Sequence, residues 1–304
     1  MPTIPPLRRR ARLRRTVAAV ALLAQAPWVA RASDHGDTDA LIAAGRHDAR
    51  IADFYVFTRG DNLVLAMTLV GDMPEPTAAF RFRSDVVYRF NIDRDTAVRF
   101  DNSEQVRLYG GTVSDPASIK EDVVIEVRFS ADGTGEAVNV LGLGSGADRS
   151  VALFAGLRDE PFIRSTVMGK NIAAIVVELP LRRVVGDAAQ PVLLAWATTD
   201  VAGVPGDQDD LGARAYRSML ADGQGLNSVH PSEHAARFNV PPDVVIFDTA
   251  RRVSFPNGRD LEDDVVDLLG RPDGHPFPSA NDLPFLDAFP YLPAPHPRPQ
   301  TPSA

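Results

Sequence analysis

Asp34, His35, Asp37 and Asp39, followed by Asp53, put hard carboxylate oxygens and one imidazole into a short stretch of chain. Carboxylates suit Ca²⁺ and other hard ions. An imidazole admits a softer divalent ion or orients a carboxylate from behind. Asp34, His35, Asp37 and Asp53 are therefore the candidate metal ligands, with Ca²⁺ or another divalent cation as the candidate cofactor. Spacing alone fixes no coordination geometry, so the same residues also read as solvated groups and turn caps. Asp159-Glu160-Pro161-Phe162 repeats the theme more weakly, as a turn that buries Phe162.

Other patterns carry less. His230-Pro-Ser-Glu-His234 has the inverted zinc-protease spacing, which needs both histidines one turn apart on a helix. Pro231 leaves His230 at best a helix cap, and Glu262 is a poor third ligand, so a surface turn is expected there. Asn91 to Asp95 opens like a calcium loop but lacks the sixth-position glycine and the closing glutamate; it reads as a hairpin turn. Gly142 to Gly146 precedes a strand rather than a helix, so it is no nucleotide fingerprint. With no cysteine in the chain, disulfides, thiolate nucleophiles and thiolate-held metals are excluded.

The elements that must position these groups read as strands. Ile51 to Thr58 and Leu63 to Val70 form a hairpin around Arg59-Gly-Asp-Asn62, with Phe54 and Val56 on one face and Tyr55 and Phe57 on the other. Both strands are apolar at nearly every residue, which calls for burial on two faces or a central place in a sheet. Short strands are then expected at 80–83, 86–92, 97–101, 105–109, 123–129 and 136–141, and again at 151–157, 172–180 and 192–198. Ile172 to Leu179 is the best central strand. Residues 200–240 break the rhythm, with a helix expected from Leu211 to Ala221. Near the end, Pro256-Asn257-Gly258 is turn chemistry, and Asp260 is placed to cap a short helix. Asn281 to Leu292 brings Phe285, Phe289 and Tyr291 among prolines, a pattern suited to lying across a core.

Residues 1–32 read as a signal peptide: a cationic start from Arg8 to Arg15, an apolar run to Trp28, and Ala30-Arg-Ala32 before a mature Ser33. Seven of the 32 basic residues fall there, leaving 25 against 40 acidic ones. A mature chain so acidic repels nucleic acid and gathers cations. The expectation is a soluble periplasmic or secreted protein with no membrane span after processing. Residues 33–294 form one β-rich domain, and a Pro-rich tail from 295 to 304 is disordered.

Several stretches, in order, resemble an exported bacterial domain-of-unknown-function family (number 4331). They are Ser33-Asp-His35, Asp48 to Phe57, Gly156 to Phe162, Gly169-Lys-Asn-Ile172, Phe255 to Arg259 with Asp263-Asp264, and Pro284 to Leu292. The opening departs, reading Ser-Asp-His-Gly-Asp where the family often has Ser-His followed by Arg-Glu-Ala-Pro. The resemblance implies export and a β-rich domain and brings no activity. The fold expected is a mainly β, antiparallel sandwich-like domain with a few short helices towards the C-terminal third. The function favoured is binding or scaffolding for an unidentified ligand or protein partner, without nucleic acid. The alternative is a metal-assisted hydrolase using the Asp/His cluster.

Overall fold

A computed structural model describes residues 38–69, 80–133, 135–143, 151–163, 168–186, 191–203, 209–214, 223–268 and 278–297. Asp34, His35, Asp37 and the expected leader lie outside these residues. In chain order the elements are α1 (Asp39–Ala43), β1 (Ile51–Arg59), β2 (Asn62–Leu69), β3 (Val86–Asp93), β4 (Val98–Arg99), α2 (Ser103–Tyr109) and β5 (Thr112–Val113). Next come β6 (Val123–Phe129), β7 (Glu136–Leu141), β8 (Ala152–Asp159), β9 (Asn171–Pro180), α3 (Leu181–Val185) and β10 (Val192–Val201). The remainder are β11 (Asp210–Gly212), α4 (Gly223–Asn227), α5 (Pro231–Phe238), β12 (Val245–Asp248) and α6 (Val265–Leu268). Among the described residues strand accounts for 38% and helix for 18%, so the fold is mainly β, as the strand spacing predicts. No helix among the described residues is long and apolar enough to cross a membrane.

Two antiparallel sheets carry the architecture. The first has the order β1-β2-β9-β8; the second runs β11-β10-β3-β6-β7, with β12 also on β10. Phe54, Val56, Leu65, Ile175 and Val177 of the first sheet share one core with Tyr88, Phe90, Ile125 and Trp196 of the second. The rings of Phe54 and Phe90 meet across it at 6.2 Å. Gly212 lets β11 approach β1: a Cβ there would lie 2.3 Å from Ile51 Cγ2. The β6 residues alternate buried and less buried, so the second sheet turns a polar face outward, where Arg89 bridges Glu126 at 3.2 Å and Asp200 at 3.5 Å.

The first sheet is apolar on both faces. Its outer face, Tyr55, Phe57, Val64, Ala66, Ala174 and Val176, packs against Leu261, Tyr291 and Leu292, with Phe285 and Phe289 alongside. The closing segment is thus the lid of a second, smaller core. This accounts for β1 and β2 being apolar at consecutive positions, and for β9 lying inside the sheet as expected.

Several boundaries differ from the sequence reading. Residues 103–109 are a helix, because Asn102 accepts the Glu104 and Gln105 amides and so caps it. Phe80 to Arg83 is not a strand; Phe82 instead stacks on Phe129 at 4.3 Å. The helix expected from Leu211 begins as strand β11, and 215–222 lie outside the described residues. Asp260 bonds Arg59 at 2.8 Å rather than capping, and the helix starts later, with Asp264 accepting the Asp267 amide. Asp93 does not head a hairpin: its carboxylate accepts the amides of Asp95, Thr96 and Lys120, closing the loop that leaves β3.

Tyr291 is 5% exposed, meets Phe57 edge-on at 5.9 Å, and donates its hydroxyl to Glu178 at 2.6 Å. Burial, then Glu178, pushes its phenol up to about 12. Tyr291→Ala should cost about 3–5 kcal/mol in urea unfolding, against about 1 kcal/mol for Tyr291→Phe. Equal losses would mean that the ring does not hold the closing segment down.

Candidate metal centre

The seam between the first sheet and its closing segment gathers titratable groups. Asp159 is the last residue of β8 and is completely buried; its amide donates to Pro293 O at 3.3 Å. Asn171, its register partner on β9, takes the segment in a double clasp: His296 N donates to Asn171 Oδ1 at 2.7 Å, and Asn171 Nδ2 donates to His296 O at 3.1 Å. The backbone therefore carries the His296 ring to Asp159. At the other end of the segment, Asp282 accepts the Gly169 amide at 2.7 Å, and Asn281 Nδ2 donates to Asp159 Oδ2 at 2.5 Å.

One ligand atom each from Asp159, Asp282 and His296 lie within 4.8 Å of one another. His296 Nε2 is 2.7 Å from Asp159 Oδ1 and 3.2 Å from Asp282 Oδ2. The first is an ion-pair distance without hydrogen-bond geometry: Asp159 Oδ1 and His296 Nε2 are buried and have no hydrogen-bond partner. Buried polar atoms are ordinarily satisfied. Two carboxylates and an imidazole meeting in this way form a donor set suited to a divalent cation. Burial raises the Asp159 carboxyl above its usual range, and the Asp282 charge adds to this, against the Asn281 hydrogen bond and His296. A cation between the carboxylates would offset both effects.

Asp53, the described member of the ligand set expected from sequence, is not in this cluster. It is 3% exposed and lies 2.7 Å from Arg259, itself 2% exposed. Arg259 stacks 4.1 Å over Tyr55, and its backbone pairs both ways with Val56. The turn before it works because Gly258 has φ 72°, and a Cβ there would meet Val56 O at 2.7 Å. Glu160 accepts the Phe162 amide at 3.2 Å in the same buried region. Burial, then the Asp53 charge, pushes the Glu160 carboxyl well up. Asp53 thus neutralises a buried guanidinium, while burial and the Asp53 charge disfavour ionisation of Glu160. Asp39, at the start of α1, is exposed.

His230 is the cap the proline implies: its Nδ1 accepts the Ser232 amide at the start of α5. His234 is fully buried; Nδ1 accepts the Asp243 amide, and Nε2 lies 2.8 Å from Val229 O. Both histidines of that motif are spent on structure.

Asp159 belongs to the weaker candidate stretch of the sequence reading, whereas Asp282 and His296 were missed. The available signal was an imidazole set between Pro295 and Pro297, stiff enough to present a ring. A scan against protein-family models found no match, and searches for similar curated proteins and similar solved structures found none.

Two stability tests follow from the seam. Glu160→Gln should change neutral-pH stability little, because burial and the Asp53 charge already disfavour the ionised carboxylate, whereas Asp53→Asn should cost about 3–5 kcal/mol by removing the charge beside Arg259. Comparable losses would contradict this difference between the two carboxyls. Asp159 has a raised pKa when folded, so its stabilising contribution is full below the ordinary carboxylate range and is lost as pH rises through the raised value. In chelator, Asp159→Asn should therefore lose less stability than wild type between acid and neutral pH. Parallel pH profiles would refute this.

Proposed function

We propose that this chain is an exported β-rich binding protein that holds one divalent cation between Asp159, Asp282 and His296. The observation that carries the reading is the convergence of three ligand atoms at that point, two of them, Asp159 Oδ1 and His296 Nε2, buried without a hydrogen-bond partner. The mixed oxygen and imidazole donors favour Mn²⁺ or Zn²⁺ over Ca²⁺, which takes oxygen ligands. The leader-like pattern of residues 1–32 and the resemblance to the exported family of unknown function support export. Binding is preferred to hydrolysis because the apolar pocket between Tyr109 and Arg214 has none of the three cluster residues in its lining. Asp34, His35 and Asp37 remain a rival ligand set, without Asp53, whose charge faces Arg259, and with them the hydrolase alternative.

The deciding measurement is thermal unfolding of chelator-treated mature protein with and without Mn²⁺, Zn²⁺ or Ca²⁺. A cation at a hundredfold excess over its Kd should stabilise the fold by about 2.7 kcal/mol. Asp282→Asn and His296→Ala should each abolish the rise, while Asp34→Asn with Asp37→Asn should leave it. The opposite pattern would move the site to the N-terminal cluster. No rise with any ion would end the metal reading.

A further inference from the structure

The closing segment, residues 281–296, is fixed to the rest of the fold at few points. Among the described residues, its hydrogen bonds and ion pairs to other elements gather at its two ends, where Asn281, Asp282, Pro293 and His296 meet Asp159, Gly169 and Asn171. Between the ends, the Tyr291 hydroxyl on Glu178 is the one hydrogen bond to another element. The Leu286 and Tyr291 amides stay within the segment, donating to Tyr291 O at 2.7 Å and Ala288 O at 2.9 Å.

Apolar contact holds the middle, and it is thin. Tyr291 and Leu292 are buried, but Phe285 and Phe289 are only partly so, and Leu286 is 42% exposed. The core shared by the two sheets contains no residue of the segment. A piece held in this way sits at the low end of local stability, where opening takes place without unfolding the rest.

The cation cluster is split across that seam. Asp159 belongs to β8, whereas Asp282 and His296 belong to the segment. Lifting the segment removes two of the three ligands, so a cation binds the seated form alone. A ligand shifts an equilibrium by its differential affinity for the two states, and here nearly all of the affinity is differential. Without a cation one imidazole faces two carboxylates, at 2.7 Å and 3.2 Å, and the like charges stand where both ends are tied. We propose that the cation is the latch of the closing segment. Its occupancy sets how often residues 281–296 lift from the first sheet and uncover the apolar face of Tyr55, Phe57, Val64, Ala174 and Val176. The latch rests on the cation reading above and adds to it a reversible, cation-controlled exposure of that face.

The test is hydrogen–deuterium exchange of the full mature chain, read by mass spectrometry in chelator and with Mn²⁺ or Zn²⁺ at a hundredfold excess over Kd, beside the thermal unfolding above. In chelator, peptides carrying the Leu286, Tyr291 and His296 amides should exchange faster than those of β10, inside the second sheet, because the segment opens locally. The cation should slow them about a hundredfold, by mass action on the seated form. Asp282→Asn and His296→Ala should each remove that slowing. Emission from Trp196, in the shared core, checks that each variant folds, and either one alone decides. A cation that raises the melting temperature but leaves the segment's exchange unchanged, or slows it only in step with β10 from a common rate, overturns the latch and leaves the cation site standing. No rise in melting temperature with any ion overturns both. Slowing that survives in a folded variant also overturns the latch.

Discussion

The first sheet has two apolar faces and only one partner sheet, and the rest of the molecule answers to that constraint. Side chains alternate along a strand, so Phe54 and Val56 enter the shared core while Tyr55 and Phe57 face the other way. Burying large apolar side chains contributes about 1.5–3 kcal/mol each, so leaving that second face wet is not an option for a marginally stable domain. The chain covers it with irregular backbone. Proline suits this role, since it removes amide donors that an irregular covering segment would otherwise have to pair.

Covering a sheet with loops rather than with another sheet has an electrostatic consequence. Polar groups from the loops and from the strand ends are drawn under the cover together. Arg259 arrives with the Pro256-Asn257-Gly258 turn and meets Asp53 from β1; Glu160 follows β8, where burial and the Asp53 charge push its carboxyl up. Asp159 ends β8 and meets both ends of the closing segment, through Asn281 and Asp282 on one side and His296 on the other. A cation bound there would close a loop of the chain as a cross-link does, restricting the unfolded ensemble as well as neutralising buried charge.

What could be read from the sequence divides along physical lines. The β1–β2 hairpin and the interior strand β9 follow from local period and turn chemistry, which one segment reveals by itself. The helix at Ser103 was misread because Val106 and Leu108 alternate with polar residues like a strand, while the decisive signal was the Asn102 cap. The site was the least accessible part. Asp159 and Asn281 are 122 positions apart, and nothing in either stretch names the other. His296 stands in a Pro-rich tail whose composition suggests disorder, yet two hydrogen bonds from its backbone to the Asn171 side chain hold it. Asp53 was picked for its charge, and the structure uses that charge on Arg259.

Net charge bears on the proposed cation site as well. With residues 1–32 removed the chain holds 25 basic and 40 acidic residues. Such a surface raises the local concentration of cations and lowers that of anions, within a Debye length of about 8 Å at physiological salt. A partly exposed cluster of two carboxylates and an imidazole therefore gains cation on-rate from the whole protein.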